Sequence, residues 1–263
     1  MIVPNIDPVL IQIGPLAIRW YSLAYIVGIL VGIYYMNFLA KKIKLDLGKK
    51  FTDDFLVYSI LGILIGGRLG YIAIYDPIIF FAEPLLVLEI WKGGMSFHGG
   101  FIGFVLATIL FSKINHINYW KILDLASCVA PIGIFLGRLA NFINRELIGR
   151  VTDKPWGVIF PEMGPETRHA SQIYEALSEG LLLFIIMNIL FFKFQFFKKE
   201  KLLSGTFCVL YSIFRFFSEI FREPDENIGY FFGYFTMGQL ISCVMLLMGL
   251  VIVKAATKHN QNS

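Results

Sequence analysis

Seven stretches of this chain are long runs of mostly apolar residues, near 17 to 39, 55 to 75, 94 to 111, 122 to 140, 171 to 192, 202 to 221 and 233 to 253. A bilayer hydrocarbon core about 30 Å thick takes about 20 residues at 1.5 Å each. Inside it every backbone N–H and C=O must find its partner within the segment, which leaves helices. The expected fold is an all-α polytopic membrane protein, 1–263 forming a single integral membrane domain with about seven transmembrane helices. Composition agrees: 57% hydrophobic, 16% charged and a mean hydropathy of +0.68 over 263 residues are more apolar than a soluble core of this size can hide. The opening "MIVPNIDPVLIQIG" has neither a basic n-region nor a small-residue cleavage site, so the first run is expected to stay as an anchor. Cys128, Cys208 and Cys243 lie far apart in apolar runs and read as packing residues rather than disulfides or metal ligands.

Charge between the runs predicts orientation. Lys and Arg number five in 40–54, two in 112–121, four in 193–201 and two after 253, against six in the alternate set. The excess belongs in the cytoplasm, so the N-terminus is expected outside and the C-terminus inside. The net charge of +4 therefore describes topology, and no nucleic-acid partner is expected. Trp20, Tyr21, Trp91, Tyr119, Trp120 and Trp156 fall at expected span ends, as an interfacial aromatic belt requires. Residues 76–93, apolar but broken by two prolines, are expected to form a periplasmic interfacial arm. Residues 141–170 are too long for a plain connector and are expected to be a periplasmic cap loop.

Ionisable groups at membrane depth cost at least about 2.5 to 3.5 kcal/mol each and point to function. The expected spans hold Arg68, His98, Asp124, Arg138, Glu175, Glu179, Arg215 and Glu219, and the expected topology places all but Asp124 toward the outer face. That asymmetry predicts one outward-facing polar cavity. Arg215, Glu219 and Arg222 recur at i, i+4 and i+7, one helical stripe, and Glu175 and Glu179 stand one turn apart. An Arg215–Glu219 pair that only neutralises itself would account for two of these residues and not the rest. Buried arginines carry a planar fork that suits phosphate oxygens, so the cavity suits a phospholipid headgroup. "GGMSFHGG" sets His98 among glycines, which permit close approach of a ligand or of a second helix. His116 and His259 lie in basic inward segments and are given no role.

The segment Gly137, Arg138, Asn141, Phe142, Asn144, Glu146 and Gly149 in "GRLANFINRELIG" resembles the bacterial phosphatidylglycerol:prolipoprotein diacylglyceryl transferases. So do "RWYSLAY", "GGRLGY", "GGMSFHGG", "RHASQIYEALSEG" and "FRFFSEIFREPD", in the family's order along nearly the whole chain. The resemblance implies an inner-membrane enzyme that moves the diacylglyceryl group of phosphatidylglycerol onto the lipobox cysteine of a preprolipoprotein signal peptide, forming a thioether and releasing glycerol phosphate. Its expected partners are those two substrates and membrane lipids, and no cofactor or metal is expected. Such a reaction needs a thiolate, whose parent thiol has a pKa near 8.5, and His98 is the candidate base. It also needs cations on the leaving phosphate as charge develops, for which Arg138 and Arg215 are candidates, with Arg68 and Arg222 behind them. Asn141 is expected to donate to headgroup oxygens, and Asn144 belongs to the same substrate-binding segment. Glu146, Glu175 and Glu219 are expected to orient the arginines and the histidine. Tyr21 is a substrate contact by resemblance, although an interfacial Tyr needs no such role.

Two other readings compete. A transporter for an anionic lipid or solute would also use membrane arginines, but would call for internal repeats and access from both faces. An intramembrane serine protease would need a Ser–His pair; Ser96 is two residues from His98, and no G-x-S-x-G elbow is present.

Overall fold

The computed structural model describes every residue except 1, 4, 5, 15, 46, 76–93, 225–228, 232 and 259–263, and the side chains of Leu16, Ile74, Tyr75 and Phe97 also stand outside it. The expected arm at 76–93, with Trp91, and His259 lie outside the described residues. The chain is mostly helical. Among the described residues the long helices are α1 (Trp20–Lys42), α2 (Lys49–Tyr75), α3 (Phe97–Ile114), α4 (Tyr119–Ile143), α5 (Ser171–Phe192), α6 (Leu202–Ser218) and α7 (Met237–Lys258). Five of them, α1, α2, α4, α5 and α7, are long and apolar enough to cross a membrane. The other two are apolar but shorter: α6, with 17 residues, is about 26 Å long. Large side chains such as Leu30, Leu61, Leu106, Leu247 and Val251 are exposed along the helices, a surface suited to lipid rather than water.

The contacts divide the chain into two compact units, Asn37–Leu123 and the remainder, Met1–Met36 with Asp124–Ser263. In the first, glycines let α2 and α3 approach to backbone contact. A Cβ at Gly70 would stand 2.7 Å from Gly99 Cα, and one at Gly62 would stand 2.6 Å from Ala107 Cβ. Small residues replace the hydrophobic drive that lipid cannot supply. Beside this seam the rings of Phe51, Phe55 and Tyr58 gather on Phe111. Ser96 caps α3, its hydroxyl accepting from Gly99 N–H at 3.2 Å.

In the second unit, Gly28 and Gly32 of α1 meet Gly133 and Val129 of α4, and Gly205 and Gly249 admit the close pairing of α6 with α7. Helix α5 is interrupted by a π-helical stretch, Ala176–Leu182, where Gly180 lies against Phe135 of α4. Asp124 explains its own burial: its carboxylate accepts from the backbone N–H of Lys201 at 2.9 Å and of Ser204 at 2.8 Å, and from the Ser204 hydroxyl at 2.5 Å. It caps the N-terminus of α6 from another helix, where donors would otherwise be orphaned.

The first span starts later than position 17, because Leu16–Arg19 pair antiparallel with Val9–Ile13 as strands β2 and β1. Gly14, at φ +58, makes the turn between them. The connector 141–170 is ordered by backbone pairing. Gly149 bridges Arg222, Val151 bridges Arg168, β4 (Thr167–Arg168) pairs with β3 (Val158–Ile159), and Ile159 bridges Ile2. The Arg145–Glu162 and Arg168–Glu223 ion pairs tie the same segment.

Candidate active site

Three helices of the second unit bring five of the eight expected span charges into one cluster. Arg138 lies near the end of α4, Glu175 and Glu179 lie early in α5, Arg215 lies late in α6, and Glu219 follows α6 as its C-cap. Arg138 Nε meets Glu175 Oε2 at 2.9 Å and its Nη2 meets Glu179 Oε2 at 3.4 Å. Arg215 Nη1 lies 3.0 Å from Glu175 Oε1 and 3.5 Å from Glu179 Oε1, while its Nη2 meets Glu219 Oε2 at 2.5 Å. The Arg215–Glu219 pair is therefore real, and it is one edge of a larger network.

Burial gives the network a front and a back. The Glu175 and Glu179 side chains have no exposed surface and Glu219 keeps 6%, whereas Arg138 and Arg215 retain 16% and 12%. Carboxylates hold the guanidinium planes from behind, and what remains open belongs to the cations. Because ion pairs taken from water return their desolvation cost only with good geometry, removing one member strands the rest. The π-helical stretch begins between the two glutamates and brings both to the same arginines; such stretches recur at functional sites. Gly238 leaves room for Glu219, since a Cβ there would stand 2.6 Å from its Cδ.

A second group gathers where α4 ends. Asn141 Nδ2 donates to Glu146 Oε2 at 3.0 Å and Asn144 Nδ2 donates to Glu146 Oε1 at 3.2 Å. Glu146 thus orients the two asparagines, a correction to the expectation that it would orient an arginine or the histidine; the turn after α4 points it back at its own segment. Tyr21, whose hydroxyl pairs with that of Tyr25 at 3.1 Å, lies within electrostatic reach of Glu146 and Arg138.

Arg222 departs from the expected stripe. Helix α6 stops at Ser218, so position 222 sits in a turn that pairs with Gly149, and its carbonyl accepts from Arg150 Nε at 2.9 Å. Helix α6 ends too early for an i+7 stripe, yet from this turn Arg222 stays within electrostatic reach of Glu175.

Arg68 and His98 belong to the unit Asn37–Leu123. Arg68 is buried and its Nη1 donates to the carbonyl of Gly94 at 3.3 Å, while Ser96 N–H donates to Gly67 carbonyl at 2.9 Å. Arg68 thereby holds the entry to α3. His98 stands exposed in the first turn of that helix, and Gly99 serves the helix seam.

Four residues without an expected role enter the picture. Glu179 grips both arginines, and its i+4 spacing from Glu175 was the available signal. Buried Tyr211, one turn before Arg215 on α6, lies within electrostatic reach of the cluster. Gln172 is fully buried and donates from Nε2 to the carbonyl of Glu146 at 2.6 Å; nothing in its spacing announces that contact. His169, outside the helices, pairs through Nδ1 with the Tyr174 hydroxyl at 3.1 Å. Desolvation, with Lys154 nearby, holds its pKa below the ordinary imidazole value.

The profile of the family described as prolipoprotein diacylglyceryl transferase matches residues 8–255. A phosphatidylglycerol--prolipoprotein diacylglyceryl transferase of Allorhizobium ampelinum is 50% identical over 266 residues, covering 98% of this chain and 93% of the relative. Proteins of the same name from Rickettsia typhi and Rickettsia bellii are 47% and 48% identical over 253 residues, covering 96% of this chain and 98% and 96% of the relatives. With a profile spanning nearly all of its length and relatives this similar from end to end, the chain belongs to the prolipoprotein diacylglyceryl transferase family.

Proposed function

We propose that this transferase takes the diacylglyceryl group of phosphatidylglycerol and places it on the lipobox cysteine thiol of a preprolipoprotein, the first step of lipoprotein maturation. The observation that supports this reading best is the pair Arg138 and Arg215, each partly open and each held from behind by buried carboxylates. Preorganised cations of this kind bind a phosphodiester and stabilise the charge that grows on it as the carbon–oxygen bond breaks. The thiol sulfur attacks the glyceryl carbon, a C–S bond forms, and the C–O bond to phosphate breaks. Its electron pair leaves with glycerol phosphate. The thiol proton passes to a base, for which His98 is the candidate on chemical grounds. Asn141 and Asn144, oriented by Glu146, contribute headgroup hydrogen bonds, and Tyr21 contacts the lipid. Arg68 and Arg222 rank behind Arg138 and Arg215 as further cations for the substrate phosphate.

The proposed setting is the bacterial inner membrane, with about seven spans, the N-terminus periplasmic and the C-terminus cytoplasmic. The arginine cluster faces the periplasmic leaflet, and residues 141–170 cover it. Lys and Arg distribution supports this orientation. The test is direct: purified protein in phosphatidylglycerol vesicles should convert a lipobox peptide to its thioether-linked diacylglyceryl form. Vesicles of phosphatidylethanolamine alone should not support the reaction. Glycerol phosphate released without a modified cysteine would reject the thiol as acceptor.

A further inference from the structure

We infer that Gln172 is a positioning residue for the transfer, holding the turn at Glu146 so that one carboxylate aims both Asn141 and Asn144. The inference rests on the proposed use of those asparagines in headgroup binding. The turn cannot hold itself in shape cheaply: Arg145 and Leu147, both bearing a Cβ, adopt φ +55 and +58 on either side of Glu146, a conformation that persists only where surroundings impose it. Backbone bonds from Arg145 N–H to Phe142 carbonyl at 3.1 Å and from Glu146 N–H to Asn141 carbonyl at 2.9 Å close the helix end around Arg145, and two buried side chains hold the carbonyls that follow. Gln172 Nε2 donates to Glu146 carbonyl at 2.6 Å and Ser171 Oγ donates to Leu147 carbonyl at 2.9 Å, across 26 and 24 residues of sequence. A flipped amide would set the Gln172 oxygen against that carbonyl, so the acceptor itself fixes which end of the amide faces it.

Position on the helix gives these contacts their consequence. Gln172, Glu175 and Glu179 recur at i, i+3 and i+7 along α5, so one face carries the support for the asparagine turn and the carboxylates behind Arg138 and Arg215. Helix α5 thus acts as a common ruler that sets the headgroup donors in register with the phosphate cations. A displacement of about 1 Å in such a register is enough to cost on the order of 100-fold in rate.

The experiment is a double-mutant cycle on the full-length protein in phosphatidylglycerol vesicles, with kcat/KM measured for a lipobox peptide and for the lipid. Gln172→Leu preserves size and removes the donor; it should lower kcat/KM by about 10- to 100-fold. Combined with Glu146→Gln it should add at most about twofold, because both act through the same turn. Losses that multiply in the double variant would overturn the inference, as would normal kcat/KM in Gln172→Leu. If that variant does not fold, Ser171→Ala enters the same cycle with the same criterion. Wild-type turnover in Glu146→Gln is a separate failure: it would remove the asparagine and glutamate reading itself.

Discussion

Replacing Arg138 by lysine tests whether the site needs a fork or only a charge. Arg138 spends two nitrogens of one plane on two different carboxylates, Nε on Glu175 at 2.9 Å and Nη2 on Glu179 at 3.4 Å. A lysine ammonium on its flexible stem occupies one point and cannot hold both in that geometry. One fully buried carboxylate then keeps Arg215 as its ion-pair partner, at 3.0 Å for Glu175 or 3.5 Å for Glu179. A hydrogen bond to a charged group is worth about 1.5–3 kcal/mol, so the folded protein should lose stability of that order. Removing one preorganised donor from a developing anion costs on the order of 100- to 1,000-fold in rate, and kcat/KM for lipid should fall by at least the lower figure. Arg138→Ala should destabilise more, by about 3–5 kcal/mol, because it removes one partner of a buried ion network and leaves two buried carboxylates to share Arg215. The assay follows thioether product from phosphatidylglycerol vesicles beside thermal unfolding of the same preparation. Lysine at 138 with kcat/KM within threefold of wild type would refute the reasoning, because positive charge alone would then suffice.

Three further outcomes follow from particular contacts. Asp124→Ala removes the cross-helix cap on α6 and should cost about 0.5–2 kcal/mol while leaving kcat per folded molecule unchanged; thermal unfolding with active-site titration separates the two. Gly66→Val places methyls against Gly99 and Gly103 of α3 and should destabilise by about 1–3 kcal/mol as an overpacked seam, read by unfolding in detergent. His169 has a folded pKa below its unfolded value of about 6.5. The stability from its neutral form is present above that pH and is lost as pH falls toward the folded pKa. Wild type should therefore lose more thermal stability than His169→Gln between pH 7 and pH 5, and parallel curves would count against it.

Much of the architecture is legible in the sequence, because a bilayer leaves few options. Each apolar run became a helix, and charged residues too costly to leave alone announced that they would meet. The meeting of Arg138, Glu175, Arg215 and Glu219 was readable from their expense and expected depth, though not their pairing, which joins residues that lie 37 and 40 positions apart. The hairpin before α1 was missed because "LAIR" is as apolar as the span it precedes, and only pairing with Val9–Ile13 makes it a strand. Arg222 reaches Glu175 from the turn after α6 rather than from a continued helical stripe, because helical spacing says nothing about where a helix stops.

By itself, the order of residues determined the membrane class, the approximate helix positions and the inventory of ionisable groups, since these depend on local hydrophobicity and on the cost of burying charge. Tertiary structure alone decided which carboxylate backs which guanidinium, that Glu146 serves two asparagines, that Asp124 caps a distant helix, and that Gln172 reaches a turn 26 residues away. Those choices depend on how helices approach and rotate, a property of packing between segments that no single segment contains.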